Sequence, residues 1–314
     1  MQKFNKQSFI RDLLNFSPRQ GKKAEMTGKY LEKTLKYHKV SFLSEKFKVE
    51  IPEVGASLAV DGKKIPCKGC SFIGGEIKSK NSIASSLISS RLFANQPNIN
   101  FNPECDDISA ANFYFSPAVA VSRKNITAII QANKILGKVS VKKVEMESNQ
   151  ILVGNTSSPK NIIFGHYDSI GSGATDNASG VAVMIDVLVK NPTTSENNLF
   201  VFDGNEELSY DRPTYWGHGY RVFEERHGDL LKRAHKIFVV DCVGNGKMFS
   251  TNDPEIINLA FPISSAEKLK DKIHILSGDI KKLMKVYHSN LDTEKELSVK
   301  YLNEAVRLLL KQLK

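Results

Sequence analysis

The chain contains 314 residues, of which 41% are hydrophobic and 25% are charged, as in an ordinary globular protein with a buried core. No apolar run resembles a signal peptide, and no segment reaches the length needed to cross a bilayer. We therefore exclude a membrane-spanning class and expect a soluble, cytoplasmic protein without a membrane partner.

The formal net charge is +10 and the isoelectric point lies near 9.2, a balance that in other proteins indicates a nucleic-acid or anionic-membrane partner. The lysines are scattered through predicted helices and turns, however, without interleaved aromatic residues or a known binding motif. Solvated surface charge is the better interpretation, and we expect no nucleic-acid partner.

The first fifty residues predict helices followed by a strand. Residues 5–38 carry two apolar stripes of helical spacing, separated by Ser17-Pro18 and Gly21. Residues 41–51 alternate apolar with polar side chains, which is typical of a strand with one buried face.

The composition changes at residue 52, where Gly, Ser, Asn and Cys become frequent and the predicted strands become short. One candidate helix lies at 83–93 in this stretch. We interpret residues 52–130 as a small β-rich insertion, and residues 1–51 together with 131–314 as the main domain.

The remainder of the chain alternates strands with helices. The predicted elements are a helix at 124–136, strands at 138–146, 150–154 and 161–164, a helix at 178–190, strands at 199–202 and 237–240, and a helix at 297–313. Short apolar strands between helices predict a sheet covered on both faces. The fold class is therefore α/β, a three-layer α/β/α sandwich with a mixed, mostly parallel sheet plus the β-rich insertion.

The four cysteines do not decide a function. Cys67 and Cys70 have metal-ligand or redox spacing, but no second such pair is present to complete a zinc ribbon. A disulfide to Cys105 and a plain turn with reduced thiols both remain open. Cys242 follows a strand-like run and is interpreted as a small buried hydrophobe.

Potential metal ligands follow several of the predicted strands. They are His166, Asp176, Glu207, Asp241 and, later in the chain, His288. Asp168 lies two residues after His166, where it can accept the second ring proton and fix the tautomer. Each residue alone has a structural explanation as a turn former, helix cap or surface acid. Mixed nitrogen and oxygen ligands without thiolate suit zinc, with cobalt or manganese as alternatives.

The order of these motifs resembles a known family. His-x-Asp-Ser from His166, Gly-Ala-x-Asp-Asn-x-Ser-Gly from Gly173, then Glu-Glu, Asp and His, is the pattern of the co-catalytic di-zinc exopeptidases. Bacterial leucyl aminopeptidases and glutamate carboxypeptidases belong to that family, and glutaminyl cyclases are relatives. The stretch that begins at Ser116 resembles the end of a protease-associated insert, which implies a reduced insert of that kind within 52–130.

The resemblance implies a role for each residue. Asp176 would bridge two zinc ions that activate a bridging water, and Glu206 would be the general base. His166 and Asp241 would complete one metal site, and Glu207 and His288 the other. The resemblance also implies a cis peptide bond between Asp176 and Asn177.

The implied activity is hydrolysis of the N-terminal peptide bond of a peptide substrate. A carboxypeptidase, a glutaminyl cyclase and a non-catalytic descendant on the same fold remain alternatives. The chain departs from the family after Glu207, and this leaves specificity open. Tyr215, Trp216 and His218 in that loop are interpreted as packing residues rather than substrate contacts. The sequence leaves the oligomeric state open.

Overall fold

The structure, a computed structural model, describes residues 4–79, 82–87 and 95–313 of the chain. The helices in these ranges are α1 (Lys6–Leu14), α2 (Lys22–Tyr37), α3 (Ile126–Gln131), α4 (Ser179–Lys190), α5 (Thr194–Asn197), α6 (His218–Arg233), α7 (Pro254–Ala260), α8 (Ala266–Leu269), α9 (Ile280–Met284) and α10 (Val299–Gln312). The strands are β1 (Leu43–Val60), β2 (Lys63–Ile65), β3 (Cys67–Gly69), β4 (Gly75–Ile77), β5 (Ile83–Ser85), β6 (Asn98–Phe101), β7 (Ala118–Val121), β8 (Ile135–Gly154), β9 (Asn161–His166), β10 (Asn198–Asp203), β11 (Lys236–Val240), β12 (Phe249–Thr251) and β13 (Ile273–Ser277).

The main sheet runs in the order β12-β13-β11-β9-β10-β8-β1-β2, with β4 also paired to β8. Strands β13, β11, β9 and β10 are parallel to one another, and the other pairs among the described strands of this sheet are antiparallel. The predicted mixed sheet is confirmed, with its parallel strands at the centre. Antiparallel pairs are nevertheless the more numerous, because the long strands β1 and β8 extend the sheet on one side.

Helices cover both faces of the central strands. Ile163 of β9 packs in a core with α1, α4 and α10, whereas its neighbours Ile162 and Phe164 pack in a second core with α6, α7 and α8. Successive strand residues point to opposite faces, so a strand buried on both sides reads as an unbroken apolar run. The predicted three-layer α/β/α arrangement is confirmed.

The stretch predicted as an insertion combines a second sheet with the far end of β1 and the short strands β2 and β4 of the main sheet. The second sheet has the order β3-β7-β6-β5, and its aliphatic residues share a small core with Leu58 of β1 and Val139 of β8. The predicted boundary between residues 51 and 52 lies inside β1, which continues unbroken to Val60. The division into domains remains a prediction; β1 crosses its boundary and pairs along its whole length with β8 of the main domain.

Several predicted elements need correction. The helix expected over 124–136 ends at Gln131, because β8 begins at Ile135 and pairs with the end of β1. The strands expected at 138–146 and 150–154 are parts of β8, since the residues between them also pair with β1. Within the expected helix at 83–93, the first three residues form strand β5, and residues 88–93 lie outside the described residues. Helices α6 to α9 and strands β12 and β13 were not predicted.

All four cysteines are free thiols, and Cys70, Cys105 and Cys242 are buried. The Cys70 sulfur accepts a hydrogen bond from Asn100 Nδ2 at 3.2 Å. The thiols are reduced and the disulfide to Cys105 is not formed, but the expected turn is instead strand β3, which begins at Cys67 and pairs with β7.

None of the described helices combines the length and apolar character needed to span a membrane.

Candidate metal centre

Three neighbouring strands bring candidate ligands to one edge of the main sheet. His166 is the last residue of β9, Asp241 directly follows β11, and Glu206-Glu207 lie in the loop after β10. Strands β11, β9 and β10 are adjacent and parallel, so their carboxyl ends meet at the same edge. The sheet thereby gathers residues that are far apart in the sequence.

Asp176 lies between two groups of ligand atoms. Its Oδ1 is 3.2 Å from His166 Nε2, which is also 3.3 Å from Asp241 Oδ1. Its Oδ2 is 3.4 Å from His288 Nε2, which is 2.9 Å from Glu207 Oε2. The five residues expected as ligands are therefore brought together as two triads that share Asp176, the arrangement that a bridging carboxylate requires.

Asp176 is held by residues that the sequence prediction did not include. Asp292 accepts hydrogen bonds from the backbone nitrogens of Thr175 and Asp176, at 2.9 and 3.1 Å. The Asn177 side chain donates to the carbonyl of Val240 at 2.8 Å, at the end of β11. The peptide bond between Asp176 and Asn177 is cis, as expected. Asn177 lies inside the motif that begins at Gly173, so its type was visible in the sequence, but the contacts of Asn177 and Asp292 were not.

Asp168 has a broader structural role than the predicted contact to a histidine ring. Its Oδ1 lies 3.3 Å from His166 Nδ1, but that ring nitrogen has no partner with hydrogen-bond geometry. The two carboxylate oxygens instead accept the backbone N–H groups of Glu206 and Glu207, each at 3.0 Å. Asp168 therefore fixes the backbone of the expected base and of one expected ligand at the same time.

Glu206 lies outside the two triads but within reach of them. One of its carboxylate oxygens belongs to a third cluster with His166 and Glu207, in which the atoms lie within 4.8 Å of one another. Burial raises the pKa of Glu206 well above its usual range, and the nearby charges of Glu207 and Asp168 raise it further, against the influence of His166. A buried carboxyl group beside the candidate ligand atoms is placed to take part in proton transfer.

The charges of the triads fit a divalent cation. Burial lowers the pKa of His288, but the adjacent Glu207 and Asp176 carboxylates outweigh burial and raise that pKa to about 10. Burial raises the pKa of Glu207 to about 7, although the charge of His288 lowers it. His288 Nε2 and Glu207 Oε1 are buried without a hydrogen-bond partner. Buried carboxylates and unpaired nitrogen and oxygen donors are the groups that coordinate zinc in mixed sites.

A cavity of about 410 Å³ opens onto both triads. Tyr287, whose ring stacks on His288 with 3.7 Å between centroids, lines it, as do Tyr215 and Trp216 from the loop after Glu207. Trp216 donates its indole N–H to the carbonyl of Leu259 at 2.9 Å. His218 begins α6 instead and does not line the cavity. The loop that departs from the family pattern thus contributes two aromatic walls, which sequence alone assigned to packing.

The model of peptidase family M28 matches residues 150–247. No curated protein sequence matches the chain. BSAP, a zinc aminopeptidase from Bacillus subtilis, is similar in structure with a TM-score of 0.68 and 16% identity, over 98% of this chain and 94% of that chain.

Two further solved structures are similar to the chain. An aminopeptidase from Aneurinibacillus sp. strain AM-1 has a TM-score of 0.60 and 16% identity, over 96% of this chain and 90% of that chain. Porphyromonas gingivalis glutaminyl cyclase has a TM-score of 0.52 and 12% identity, over 98% of this chain and 96% of that chain. Identities this low establish the shared fold only.

The family match and the fold agree with the resemblance read from the motifs. The matched stretch contains every candidate ligand except His288, and the fold extends the likeness over nearly the whole chain. The general activity that follows is that of a zinc-dependent metallopeptidase. Residues 150–247 match the model of peptidase family M28, and the chain shares its fold with zinc aminopeptidases of known structure, so motifs and fold together support the co-catalytic zinc exopeptidase family.

Proposed function

We propose that the protein is an aminopeptidase that removes the N-terminal residue of peptides, with two zinc ions held by the triads around Asp176. His166 and Asp241 would hold one ion, Glu207 and His288 the other, with Asp176 shared. When bound, the two ions supply Lewis-acid activation of water and of the scissile carbonyl. We propose the same site for cobalt or manganese, which accept the same donor types.

Glu206 is proposed as the residue that moves the proton. Its carboxylate lies beside the ligand atoms without belonging to either triad, so it is free to take a proton from the attacking water. The same carboxyl group then gives that proton to the leaving amine. Asp168 supports this step by holding the Glu206 backbone N–H at 3.0 Å.

The charge of the cavity is the observation that favours an aminopeptidase over a carboxypeptidase. Asp176, Glu206, Glu207 and Asp241 line the cavity, and no lysine or arginine does so within the described residues. A carboxypeptidase needs a lysine or arginine to receive the C-terminal carboxylate of its substrate, and the described lining of this cavity offers none. The cavity therefore supports recognition of the amino end.

A glutaminyl cyclase and a non-catalytic descendant have less support. The glutaminyl cyclases related to the family, as the resemblance implies, usually lack a complete second ligand set, and here Asp176, Glu207 and His288 form one. A non-catalytic descendant would be expected to lose a ligand or the base, and all of these residue types are present at the site. Both observations favour hydrolysis.

The remaining wall of the cavity suggests which N-terminal residue is accepted. It is formed by aliphatic side chains of β13, α7 and α9, among them Ile256, Ile275, Ile280 and Met284. Moving an uncharged side chain from water into such a pocket costs little free energy, whereas a charged side chain would lose its hydration at a large cost. We propose a preference for apolar N-terminal residues.

The test combines metal analysis with a matched substrate panel. Purified protein should hold about two zinc ions per chain and hydrolyse leucine amide, but neither acetyl-leucine amide nor glutamate amide at a comparable rate. A chelator should abolish the activity, and added zinc should restore it. Release of the last residue from an N-blocked dipeptide would instead show a carboxypeptidase, and ammonia release from a glutaminyl peptide without hydrolysis would show a cyclase.

A further inference from the structure

His288 is positioned differently from the ligands at the sheet edge. It lies on the loop between α9 and α10, whereas His166, Glu207 and Asp241 lie at or shortly after strand ends. Its backbone φ is +50°, in the left-handed region that non-glycine residues adopt only at a cost. Contacts from elsewhere in the chain must therefore hold this residue in place.

The backbone of Ala110, in the predicted insertion, contacts both ends of His288. The Ala110 N–H donates to the His288 carbonyl at 3.2 Å. The Ala110 carbonyl lies 3.2 Å from His288 Nδ1, and because a carbonyl only accepts, that ring nitrogen must carry the proton. This tautomer leaves Nε2 free to face Asp176 and Glu207, as a metal ligand requires.

Two buried side chains of the insertion form hydrogen bonds with the backbone of residues that precede His288. Ser109 Oγ donates to the carbonyl of Tyr287 at 2.6 Å. Asn102 Nδ2 donates to the carbonyl of Met284 at 2.8 Å and reaches Ser109 Oγ at 3.3 Å. Ser109 is 0% and Asn102 1% exposed, so water cannot easily replace these hydrogen bonds.

The insertion is itself fixed to the main domain. Phe72 and Phe113 of the insertion pack against Tyr215 in the loop after Glu207. On its other side, the His288 loop is held by the main domain, where Ser172 N donates to the Ser289 carbonyl at 3.0 Å. The loop is therefore clamped between the insertion and the segment that leads to Asp176.

We propose that the insertion is a working part of the metal centre, in which Asn102 and Ser109 are positioning residues for His288. Their hydrogen bonds hold the loop so that Ala110 can set the tautomer and direction of the imidazole. The proposal rests on the two-zinc site proposed above. It implies that losing these side chains lowers the affinity for the zinc ion held by Glu207 and His288, while the affinity for the ion held by His166 and Asp241 stays the same.

The experiment is a zinc titration of the metal-free protein in competition with a chromophoric chelator. The variant is Asn102→Ala with Ser109→Ala, and the matched control is Asn100→Ala with Ser71→Ala. Both control side chains are also 0% exposed, and their hydrogen bonds stay within the insertion, including Ser71 Oγ to the Ser116 carbonyl at 2.6 Å.

We expect one of the two ions to bind about 10- to 100-fold more weakly in the variant and neither to change in the control. In a His288→Ala background the double substitution should have no further effect on the remaining ion, because the side chain that it positions is gone. If the double variant does not fold, Ser109→Ala compared with Ser71→Ala makes the same test.

Three results would overturn the proposal. They are an unchanged affinity for both ions in the variant, an equal loss of affinity for both ions in the variant, and the same loss of affinity in the control. The outcome for the proposed function is read separately. If the wild-type protein binds two ions but hydrolyses no peptide, the aminopeptidase assignment fails and the positioning role stands. If the wild-type protein binds no second ion, the two-zinc site and the positioning role fail together.

Discussion

Two regions of the molecule supply one site by different means. Within 150–247, His166, Glu207 and Asp241 reach the site because parallel strands end at one edge of the sheet. The predicted insertion, residues 52–130, contributes no expected ligand, yet Ala110 contacts His288 across 178 positions of sequence. The first region depends on backbone geometry that the sheet provides, and the second depends on individual hydrogen bonds.

Substitutions in the two regions should therefore have different consequences. In the strand-end region the fold is secured by apolar residues such as Phe164 and Phe200, so a polar substitution at the site should change chemistry or metal binding without unfolding the protein. In the predicted insertion, strands β3 to β7 are only three or four residues long. Substitutions there should change stability, except at residues such as Asn102 and Ser109 that contact the His288 loop.

The largest effect is expected for Glu206→Gln. The amide keeps the size of the side chain but cannot take a proton, so kcat should fall on the order of 100- to 10,000-fold. Zinc content and thermal stability should stay as in the wild type, because both triads are intact. Turnover close to that of the wild type at full zinc occupancy would show that the base lies elsewhere.

The next effect is expected for Asp168→Asn, with Asp61→Asn as its matched control. Asp168 accepts the N–H groups of Glu206 and Glu207, whereas Asp61 accepts those of Asn133 and Lys134 away from the site. An amide has only one acceptor oxygen, so asparagine can accept a hydrogen bond from only one of the two paired N–H groups in the way that the carboxylate does. Asp168→Asn should lower zinc affinity and kcat/KM about 10- to 100-fold.

Asp61→Asn should leave zinc affinity and kcat/KM unchanged, since its partners do not touch the metal centre. Equal effects of the two substitutions, measured by chelator competition and steady-state kinetics, would contradict the contrast between the regions.

A smaller effect, on stability, is expected for Tyr215→Phe. The Tyr215 hydroxyl accepts the buried N–H of Phe113 at 3.1 Å, which joins the loop after Glu207 to the insertion. Leaving that N–H without a partner should lower the free energy of unfolding by about 1.5 kcal/mol, as measured in urea. Tyr210→Phe is the control, because its hydroxyl donates to the carbonyl of Phe72 at a partly exposed position. A larger loss for Tyr210→Phe would show that burial of the partner group does not decide the loss.

The smallest effect concerns how the stability of the protein depends on pH through a buried thiol of the predicted insertion. Burial raises the pKa of the Cys70 thiol from 9.0 to about 12, although a hydrogen bond from Asn100 lowers it. The unfolded chain therefore releases this proton first, and stability should fall as pH rises above 9.0. The loss should reach about 1 kcal/mol at a pH of about 9.5.

Cys70→Ala should remove the thiol's contribution to the fall of the unfolding free energy with pH between about pH 8 and 10. Cys67→Ala should remove less of it, because Cys67 is only half-buried. Unfolding free energies with identical slopes in wild type and Cys70→Ala would show that the thiol is not protected by the fold.

Most of what the sequence determined by itself is local. Apolar runs such as 161–164 and 199–202 require burial on both faces, and polar residues directly after them mark the functional edge of the sheet. Periodicity also identified α4 and α10 to within two residues. The expected ligands, their pairing and the cis bond were carried by the resemblance, which needs only residue types in order along the chain.

The tertiary structure alone decided how those residues are held. Nothing in the sequence around Asp168 shows that its carboxylate accepts hydrogen bonds from the backbone of Glu206 and Glu207. Likewise, nothing around Ser109 shows that its hydroxyl donates to the His288 loop. The single long strand β8 was likewise read as two, because its pairing partner lies far earlier in the chain, in β1. Hydrogen bonds between a side chain and a distant backbone group leave no periodic pattern in either segment, so only the folded chain, which brings the two groups within about 3 Å, reveals them.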